Sequence, residues 1–270
     1  MSVLYVVATP IGNLSDLSKR ASETLRAVDV IAAEDTRRTN ILLKHIGIEK
    51  KEVVSFHKFN EVKRTPQLLA RLRGGESVAI VADAGTPLIN DPGSFLVQQV
   101  WLEGIKISPI PGPSSLIAAL SICPLSVKDW SFIGFLPSKK AEVETLLKSY
   151  LLRSEAIVFF ESPRRILDTL EILENISERR LMVVRELTKV FESMHVGGAM
   201  EIRSQITDNL RGEFICVLEG SLKVKLDIEE ERLMRVLLEY HDLSTASKIV
   251  ARVLGVNKRE IYNKGIVLTR

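Results

Sequence analysis

The chain has 270 residues and a formal net charge of +3 at pH 7; 46% of its residues are hydrophobic and 26% are charged. These proportions are typical of globular domains, and they exclude a chain that is disordered or collagen-like throughout. The charge excess is too small to identify a nucleic-acid-binding protein, so only the placement of basic residues could do so.

The first part of the chain alternates short apolar runs with amphipathic segments. Continuous apolar runs indicate strands covered on both faces, and their alternation with helical patterns favours a parallel sheet in an α/β domain. The predicted strands are residues 3–8, 29–33, 53–56, 77–82 and 106–110, and the predicted helices are residues 17–28, 36–46, 61–73 and 94–103. A proline-rich hinge, PIPGPSS at 109–115, places the end of this N-terminal domain at residue 113.

Residues 114–222 repeat the alternation with a weaker parallel signal, which predicts a second α/β domain with a mixed sheet. Its predicted strands are residues 130–135, 156–160, 180–184, 190–196 and 214–218, and its predicted helices are residues 142–152, 163–175 and 199–210.

The remainder, residues 223–270, is predicted to be a charged linker and a small helical segment. Residues 245–254 and 258–267 form two helical patterns separated by Gly255-Val256-Asn257. This spacing is compatible with a helix-turn-helix whose second helix opens with Lys258 and Arg259. A small helical cap packed on the body of the protein explains the same pattern.

Cysteine, histidine and hydropathy patterns favour a cytoplasmic protein without metal or membrane. Cys123 and Cys216 form no CxxC motif, and the four histidines show no HxxxH pairing. The first apolar run reaches Pro10 quickly and predicts a buried strand rather than a signal peptide. The sequence contains no apolar stretch near the ~18 residues of a membrane span.

Polar or glycine-bearing loops follow all five strands predicted in the first domain. They read TPIGNL from residue 9, EDTRR from 34, HKFNE from 57, DAGTPLINDPG from 83 and PIPGPSS from 109. In open α/β sheets, ligands bind beyond the carboxyl ends of the strands, so the joint pattern favours a site. Each loop alone has a structural explanation: a turn at Gly85, a helix N-cap at Asp91, or an ion pair of Glu34 with Arg37.

Two loops of the second domain resemble these. The sequence ESPRR begins at Glu161, with Ser162 as the expected N-cap and Pro163 at the first helical position. The sequence RELTK begins at Arg185, and Phe191 and Glu192 follow it. The chain lacks GxxxxGK[ST], GxGxxG and GxSxG, so those phosphate, dinucleotide and nucleophile signatures are excluded.

Seven segments in this order closely resemble the ribosomal RNA small-subunit methyltransferase I family, the 16S rRNA cytidine 2′-O-methyltransferases of the tetrapyrrole-methylase superfamily. They are TPIGNLSDLSKRA, AAEDTRRT, DAGTPLINDPG, PIPGPSS, GFLPSKK, ESPRRI and RELTKVFE, and the likeness covers residues 3–220. This chain departs from the family pattern with HKFNE in place of HEHNE, Arg164 in place of a histidine, and Asn90 where serine is common.

The resemblance implies two α/β domains with S-adenosylmethionine bound in the cleft between them. It also implies a homodimer that produces a 2′-O-methylated cytidine in the decoding region of the small ribosomal subunit. The cofactor-binding residues carried over from the resemblance are Asp83, Ala84, Gly85, Ser114, Ser115, Phe160 and Glu161. Pro10 and Gly12 are further predicted cofactor-binding residues. Backbone N–H groups near Gly12 or Gly85 suit the carboxylate of the cofactor, because such groups bind anions at helix N-termini.

Methyl transfer to a hydroxyl needs in-line alignment and a group that accepts the hydroxyl proton. A lysine with a lowered pKa or a carboxylate could serve, and the candidates are Lys189, Glu192 and Glu34. Guanidinium groups pair well with phosphate. The predicted RNA-binding residues are therefore Arg37, Arg38, Arg164, Arg165 and Arg185, with further basic pairs at Lys139-Lys140 and Lys258-Arg259.

Two other functions remain open at this point. The first is an enzyme of the same superfold that methylates a tetrapyrrole or another small molecule; a cleft lined mainly by apolar side chains would favour it. The second is a non-catalytic RNA-binding factor that uses the C-terminal helices.

Overall fold

The computed structural model describes residues 2–206, 210–221 and 228–268, without the side chains of residues 228 and 229. Two compact units divide the chain. The first comprises residues 1–123, 183–195 and 211–215, and the second comprises residues 124–182, 196–210 and 216–270. The sequence-based domain limits at residues 113 and 222 stay a prediction, since compactness does not show which segments fold independently.

A five-stranded parallel sheet forms the centre of the first unit, in the order β3-β2-β4-β1-β5. Its strands are β1 (Val3–Val7), β2 (Val30–Ala33), β3 (Glu52–Ser55), β4 (Val78–Val81) and β5 (Lys106–Ile110). In the central pair, Leu4 lies opposite Val78 and Val7 opposite Val81. The predicted parallel sheet is confirmed, because apolar runs of this kind are buried on both faces.

Helices cover both faces of this sheet. They are α1 (Lys19–Ala27), α2 (Thr36–His45), α3 (Glu61–Arg73), α4 (Ser94–Leu102) and α5 (Ser115–Ser121). Leu25 of α1 and Leu43 of α2 pack in one core with Ile31, whereas Leu72 of α3 and Leu96 of α4 pack in another. Helix α5 was not predicted, because the prolines before it suggested a hinge.

Strands β1 and β4 are adjacent in the sheet, and the helices that follow them lie on opposite faces of it. The chain leaves β1 through α1 on one face and β4 through α4 on the other. Such a topological switch point opens a crevice at the carboxyl ends of the two strands. The loops that follow β1 and β4 are therefore the places where this sheet is best able to bind a ligand.

The second sheet has the order β6-β7-β10-β8-β9, and the division between the compact units runs within β8, β9 and β10. Its strands are β6 (Trp130–Phe135), β7 (Ala156–Glu161), β8 (Leu181–Arg185), β9 (Ser193–Gly197) and β10 (Phe214–Leu218); its helices are α6 (Lys140–Leu151), α7 (Ile166–Ile176) and α8 (Ala199–Gln205). Strands β6 and β7 are parallel. The mixed character of the whole sheet stays a prediction.

Two predicted helix limits were wrong by three residues or more. Helix α7 begins at Ile166 rather than Pro163, since residues 163–165 form a turn in which the N–H of Ile166 donates to Ser162 O. Ser162 is therefore not the N-cap of that helix. Helix α8 ends at Gln205, and residues 207–209 of the predicted helix lie outside the described residues.

The C-terminal helices are α9 (Ile228–Leu238), α10 (Leu243–Leu254) and α11 (Lys258–Leu268). Most of the predicted linker before them, residues 222–227, lies outside the described residues. Gly255 ends α10 with φ of 68°, the left-handed conformation in which glycine is favoured. Met234, Val250 and Ile261 form a small core among the three helices, so the two predicted helices and their glycine turn are confirmed. A membrane-crossing helix is not found in the part of the chain that the structure describes.

Candidate functional site

The loops after β1 and β4 are joined directly at the switch point. The N–H of Thr9 donates to Gly85 O at 2.9 Å, and the N–H of Gly85 donates to Thr9 O at 3.0 Å. The hydroxyl of Thr9 also donates to Ala82 O at 3.2 Å. Gly85 has φ of 83°, which a side chain would disfavour, so this glycine permits the close pairing of the two loops.

The loop after β2 joins them through Asp83. The N–H of Asp35 donates to Asp83 Oδ1 at 2.8 Å, and Arg38 Nε lies 3.6 Å from Asp83 Oδ2. A cavity of about 190 Å³ opens beside these groups. It is lined by Thr9, Pro10, Leu14, Arg38, Thr39, Ile41, Leu42, Ala82 and Asp83. The structure thus brings three of the predicted loops together.

Two carboxyl groups of the site, Glu34 and Asp91, have raised pKa values, and the charge of Asp83 contributes to both. Burial, and then the charge of Asp83, raise the pKa of Glu34. Burial, and then the charges of Glu34 and Asp83, raise the pKa of Asp91 to about 7. Like charges in a partly desolvated place disfavour ionisation, so Glu34 and Asp91 hold protons more firmly than free carboxyl groups do.

Asp91 is a site residue that the sequence analysis did not identify. Its only suggested role was an N-cap, but Gly93 occupies that position of α4 and no side chain caps the helix. Residues Leu88 and Asn90, with φ of 72° and 68°, turn the loop in a left-handed conformation just before Asp91. The loop sequence signals a turn, but nothing in it indicates that the turn carries Asp91 toward Glu34.

The two predicted RNA-binding arginines of this edge differ in their partners. Arg37 Nη2 and Nε lie 2.7 and 3.1 Å from the two oxygens of Asp35, and this pairing lowers the pKa of Asp35 to about 2. Among the residues that the structure describes, the Arg38 guanidinium has one ion pair, the longer contact of 3.6 Å with Asp83. Both side chains are exposed, so each keeps a face open to solvent.

Residues 185–192 belong to the first unit and contact the loop after β1. A Cβ atom at Gly12 would overlap Lys189 Cγ and lie 2.7 Å from Thr188 Oγ1, so only glycine allows this contact. Glu186 and Thr188 have φ of 52° and 65°. A β-branched residue in the left-handed region is strained, and such strain is concentrated at functional sites.

The predicted proton acceptors in this segment are already engaged. Lys189 Nζ lies 2.8 Å from Glu186 Oε1 and 3.3 Å from Glu213 Oε2. Burial lowers the pKa of Lys189, but the hydrogen bonds and charges of these two carboxylates outweigh it and raise the pKa. The expected lowered lysine pKa is therefore not found. Glu192 is exposed, and its Oε2 accepts from the N–H of Thr188 at 2.6 Å.

Glu161 and Arg165 support the local structure of the second unit. The Glu161 carboxylate is 1% exposed and accepts from Ser162 N at 2.7 Å, Thr169 Oγ1 at 2.8 Å and Arg165 Nη2 at 2.8 Å. Arg165 also donates to the carbonyls of Leu136 and Pro137. This geometry opposes the predicted phosphate contact of Arg165 and engages both oxygens of Glu161 within the second unit.

The remaining predicted site residues each have their own local surroundings. Phe160 packs against Phe132 and Phe135 in the second unit. Ser114 caps α5, and Ser115 is its first residue. Arg185 Nε donates to Arg211 O at 2.8 Å, whereas Arg164 is exposed. Ala84 lies between Asp83 and Gly85 in the paired loop. Within residues 2–206, 210–221 and 228–268, no group of three or more His, Cys, Asp or Glu side chains could hold a metal ion.

Comparison with models of protein families identifies the family of this chain. The model of the Tetrapyrrole (Corrin/Porphyrin) Methylases matches residues 3–202. The chain belongs to the tetrapyrrole methylase family. A second model, the RsmI C-terminal HTH domain, matches residues 224–268, which favours the helix-turn-helix interpretation of α10 and α11.

Curated relatives match along nearly the whole chain. One from Xylella fastidiosa is 41% identical over 266 residues, covering 96% of this chain and 97% of its own. One from Escherichia coli O157:H7 is 40% identical, covering 96% of this chain and 93% of its own. Both are named ribosomal RNA small subunit methyltransferase I, the family that the sequence motifs resemble.

Solved structures confirm the predicted two-sheet α/β fold of the tetrapyrrole methylases. Uroporphyrin-III-C-methyltransferase from Thermus thermophilus matches with a TM-score of 0.55 and 19% identity, covering 81% of this chain and 94% of its own. Diphthine synthase matches with a TM-score of 0.60 and 16% identity, covering 81% and 90%. At these identities the likeness concerns the fold alone.

Replacing Asp91 by Asn tests the carboxylate cluster. Because the folded-state pKa of Asp91 is raised to about 7, the native protein loses stability as pH rises from about 4 to 7. We expect the Asn variant to be more stable than the wild type at pH 8, by roughly 1–2 kcal/mol, and equally stable at pH 4. Urea unfolding at both pH values measures the difference. Asp16→Asn, at an exposed carboxylate, is the control; an equal gain in both variants would contradict the cluster.

Arg164 and Arg165 form a matched pair for a second test. Arg165→Ala leaves the buried Glu161 carboxylate without its cation, and we expect the free energy of unfolding to fall by about 2–4 kcal/mol. Arg164→Ala removes an exposed side chain and is expected to change it by less than about 0.5 kcal/mol. Urea unfolding of the two variants is the measurement. Equal stability of both variants would show that Arg165 is not a structural residue.

Proposed function

We propose that this protein transfers a methyl group from S-adenosylmethionine to the 2′-oxygen of a cytidine in the decoding region of 16S rRNA. The observation that carries the proposal is the 40–41% identity, over 96% of the chain, to relatives named ribosomal RNA small subunit methyltransferase I. The nucleoside, the oxygen and the ribosomal region come from the motif resemblance. The same resemblance supports a homodimer, and the cysteine and hydropathy patterns support a cytoplasmic location.

The first unit offers groups that fit S-adenosylmethionine, which supplies an electrophilic methyl group on a sulfonium. The cavity of about 190 Å³ beside Pro10 and Asp83 is smaller than the ~300–1,000 Å³ of pockets for whole ligands of that size. It therefore suits one part of the cofactor. We assign the contacts in this unit to Pro10, Gly12, Asp83, Ala84, Gly85, Ser114 and Ser115. A uroporphyrin-III C-methyltransferase of the same fold has been solved with S-adenosyl homocysteine.

The cofactor roles of Phe160 and Glu161 rest on the motif resemblance. The Glu161 side chain is fully engaged within the second unit, so its part in binding would fall to its backbone. The Phe160 ring packs against two other phenylalanines, which is consistent with an apolar wall.

Glu34 and Asp91 are the groups that we propose as acceptors of the hydroxyl proton. A general base works best when its pKa lies near the working pH, and the pKa values of both carboxyls are raised toward neutrality. Lys189 is the weaker candidate because Glu186 and Glu213 hold it as an ammonium. In that form, Lys189 suits a phosphate of the RNA. Glu192 is bound to the Thr188 N–H and would have to leave it first.

Exposed cations would hold the RNA. Arg37, Arg38 and Arg164 keep guanidinium surface open to solvent, and Arg185 is half-buried. Lys140 lies 2.9 Å from Asp168, and Lys139 lies 3.0 Å from Glu142, so these lysines are partly neutralised. Lys258 and Arg259 open α11 in the segment matched by the helix-turn-helix model, and they would add contacts there.

Methyl transfer to small ribosomal subunits tests the proposed function. Purified protein, methyl-labelled S-adenosylmethionine and 30S subunits from cells lacking the protein are expected to yield 2′-O-methylcytidine, identified by mass mapping of the 16S rRNA. Subunits from cells that contain the protein, being already methylated, are the control and should accept little label. Absence of label in the unmethylated 30S subunits, or a label on a base atom, would overturn the proposal.

Arg37→Ala is expected to weaken RNA methylation and leave cofactor affinity unchanged. Loss of one phosphate contact should lower kcat/KM for 30S subunits about tenfold and reduce the salt dependence of RNA binding by about one counterion. Tritium transfer and calorimetry with S-adenosylmethionine measure the two quantities. Arg20→Ala, at an exposed arginine of α1, is the matched control. Unchanged transfer by the Arg37 variant would remove it from the RNA-binding set.

A further inference from the structure

The turn after β3 presents an aromatic side chain to solvent on a rigid backbone. Phe59 is 84% exposed. The N–H of His57 donates to Asn60 Oδ1 at 2.8 Å, and the N–H of Asn60 donates back to His57 O at 2.8 Å. Asn60 Nδ2 also donates to Ser55 O at 3.2 Å. These bonds fix the backbone on both sides of Phe59, so little conformational freedom remains to be lost when its ring is bound.

Longer-range bonds tie the same turn to the rest of the first unit. Phe56 is fully buried, and its N–H donates to Ala33 O at the end of β2. The Glu61 carboxylate at the start of α3 accepts from Gly93 N at 2.8 Å. The turn is thereby joined to the loop that carries Asp91. These two bonds fix the position of the turn relative to β2 and to that loop.

The charges around Phe59 are mainly positive. Lys58 Nζ lies over one face of the Phe59 ring, 4.9 Å from its centre, so a stacking partner would take the opposite face. Lys63 is exposed on the first turn of α3. Glu61 is the one acidic residue between His57 and Arg64, and its Oε2 accepts from Gly93 N. Within residues 57–64, an anionic partner would therefore meet more cations than carboxylates.

The turn lies beside the carboxylates of the candidate site. The N–H of Phe56 contacts Ala33 O, next to Glu34, and Glu61 contacts Gly93 N, two residues after Asp91. The His57 ring stands edge-on to the Phe59 ring with 6.0 Å between their centres. A group bound on Phe59 would thus lie one side chain away from the edge where Glu34, Asp83 and Asp91 meet.

We propose that Phe59 is a platform on which one base of the RNA substrate stacks, with Lys58 contacting an adjacent phosphate. This inference rests on the proposed function and names a contact for it. A flat apolar ring flanked by cations matches the two parts of a nucleotide, and aromatic residues bind unpaired RNA bases in this way. A second protein chain fits the surface less well, because Lys58 and Lys63 are charged and the exposed apolar residue next to them, Val62, has a small side chain.

Methylation kinetics with unmethylated 30S subunits test the platform. We expect Phe59→Ala and Phe59→Leu to raise KM for 30S subunits about tenfold with little change in kcat, because one base–aromatic stack is lost in both. Phe59→Trp keeps an aromatic face and should stay near the wild-type KM. Trp101→Ala, which removes a 75% exposed aromatic residue from α4, is the matched control and should have no effect. Circular dichroism verifies that each variant is folded.

The outcomes separate the platform from the proposed function. Wild-type turnover with an unchanged KM in Phe59→Ala overturns the platform and leaves the function standing. A wild-type KM in Phe59→Leu shows that apolar bulk suffices, which also overturns stacking. A change in oligomeric state in Phe59→Ala, measured by light scattering, assigns the ring to a protein interface instead. Failure of the wild-type protein to methylate 30S subunits overturns both.

Discussion

Two backbone hydrogen bonds between Thr9 and Gly85 organise the candidate site. They join the loops that follow the two adjacent strands whose helices depart to opposite faces of the sheet. The pairing requires the left-handed conformation of Gly85, and it sets Asp83 beside the start of α2. In this position, Asp83 contacts the N–H of Asp35 and the guanidinium of Arg38. Its charge acts on the carboxyl groups of Glu34 and Asp91.

The electrostatics of this edge combine attraction and repulsion. Burial and the charge of Asp83 raise the pKa of Glu34, and burial with the charges of Glu34 and Asp83 raises the pKa of Asp91, whereas Arg37 and Arg38 are exposed. A protein under selection for stability alone would separate such carboxylates, because each raised pKa is a loss of stability at neutral pH. The strained backbone of Glu186 and Thr188 beside Gly12 is a cost of the same kind. Both features are consistent with a site that retains reactive groups.

Sequence patterns predicted the first sheet well because each of its strands can be recognised from a few consecutive residues. Each strand is a short apolar run, and the ligand-facing loops follow from the topology once the strands are parallel. The motif resemblance identified the family from the same loops. Helix α5 was missed, since the prolines before it favoured a hinge and its seven residues carry a weak helical pattern.

The roles of single side chains depended on contacts that no local pattern contains. Arg165 resembled a phosphate ligand until Glu161, Leu136 and Pro137 were found around its guanidinium. The pKa of Lys189 is raised by Glu186 and also by Glu213, which lies far along the chain, directly before β10. Asp91 gains its importance from Glu34, which lies after another strand. Spacing along the chain places such residues at an edge of the sheet, and packing decides which of them meet.

The contact of Gly12 with Lys189 and Thr188 also bears on the order of events during synthesis. Residues 183–195 and 211–215 complete the first compact unit, although the segments between and before them belong to the second. During translation, residues 1–123 therefore leave the ribosome before the last parts of their own unit exist. The N-terminal sheet can form early, but the contact of Lys189 with Gly12 in the loop after β1 forms only after strand β8 has emerged.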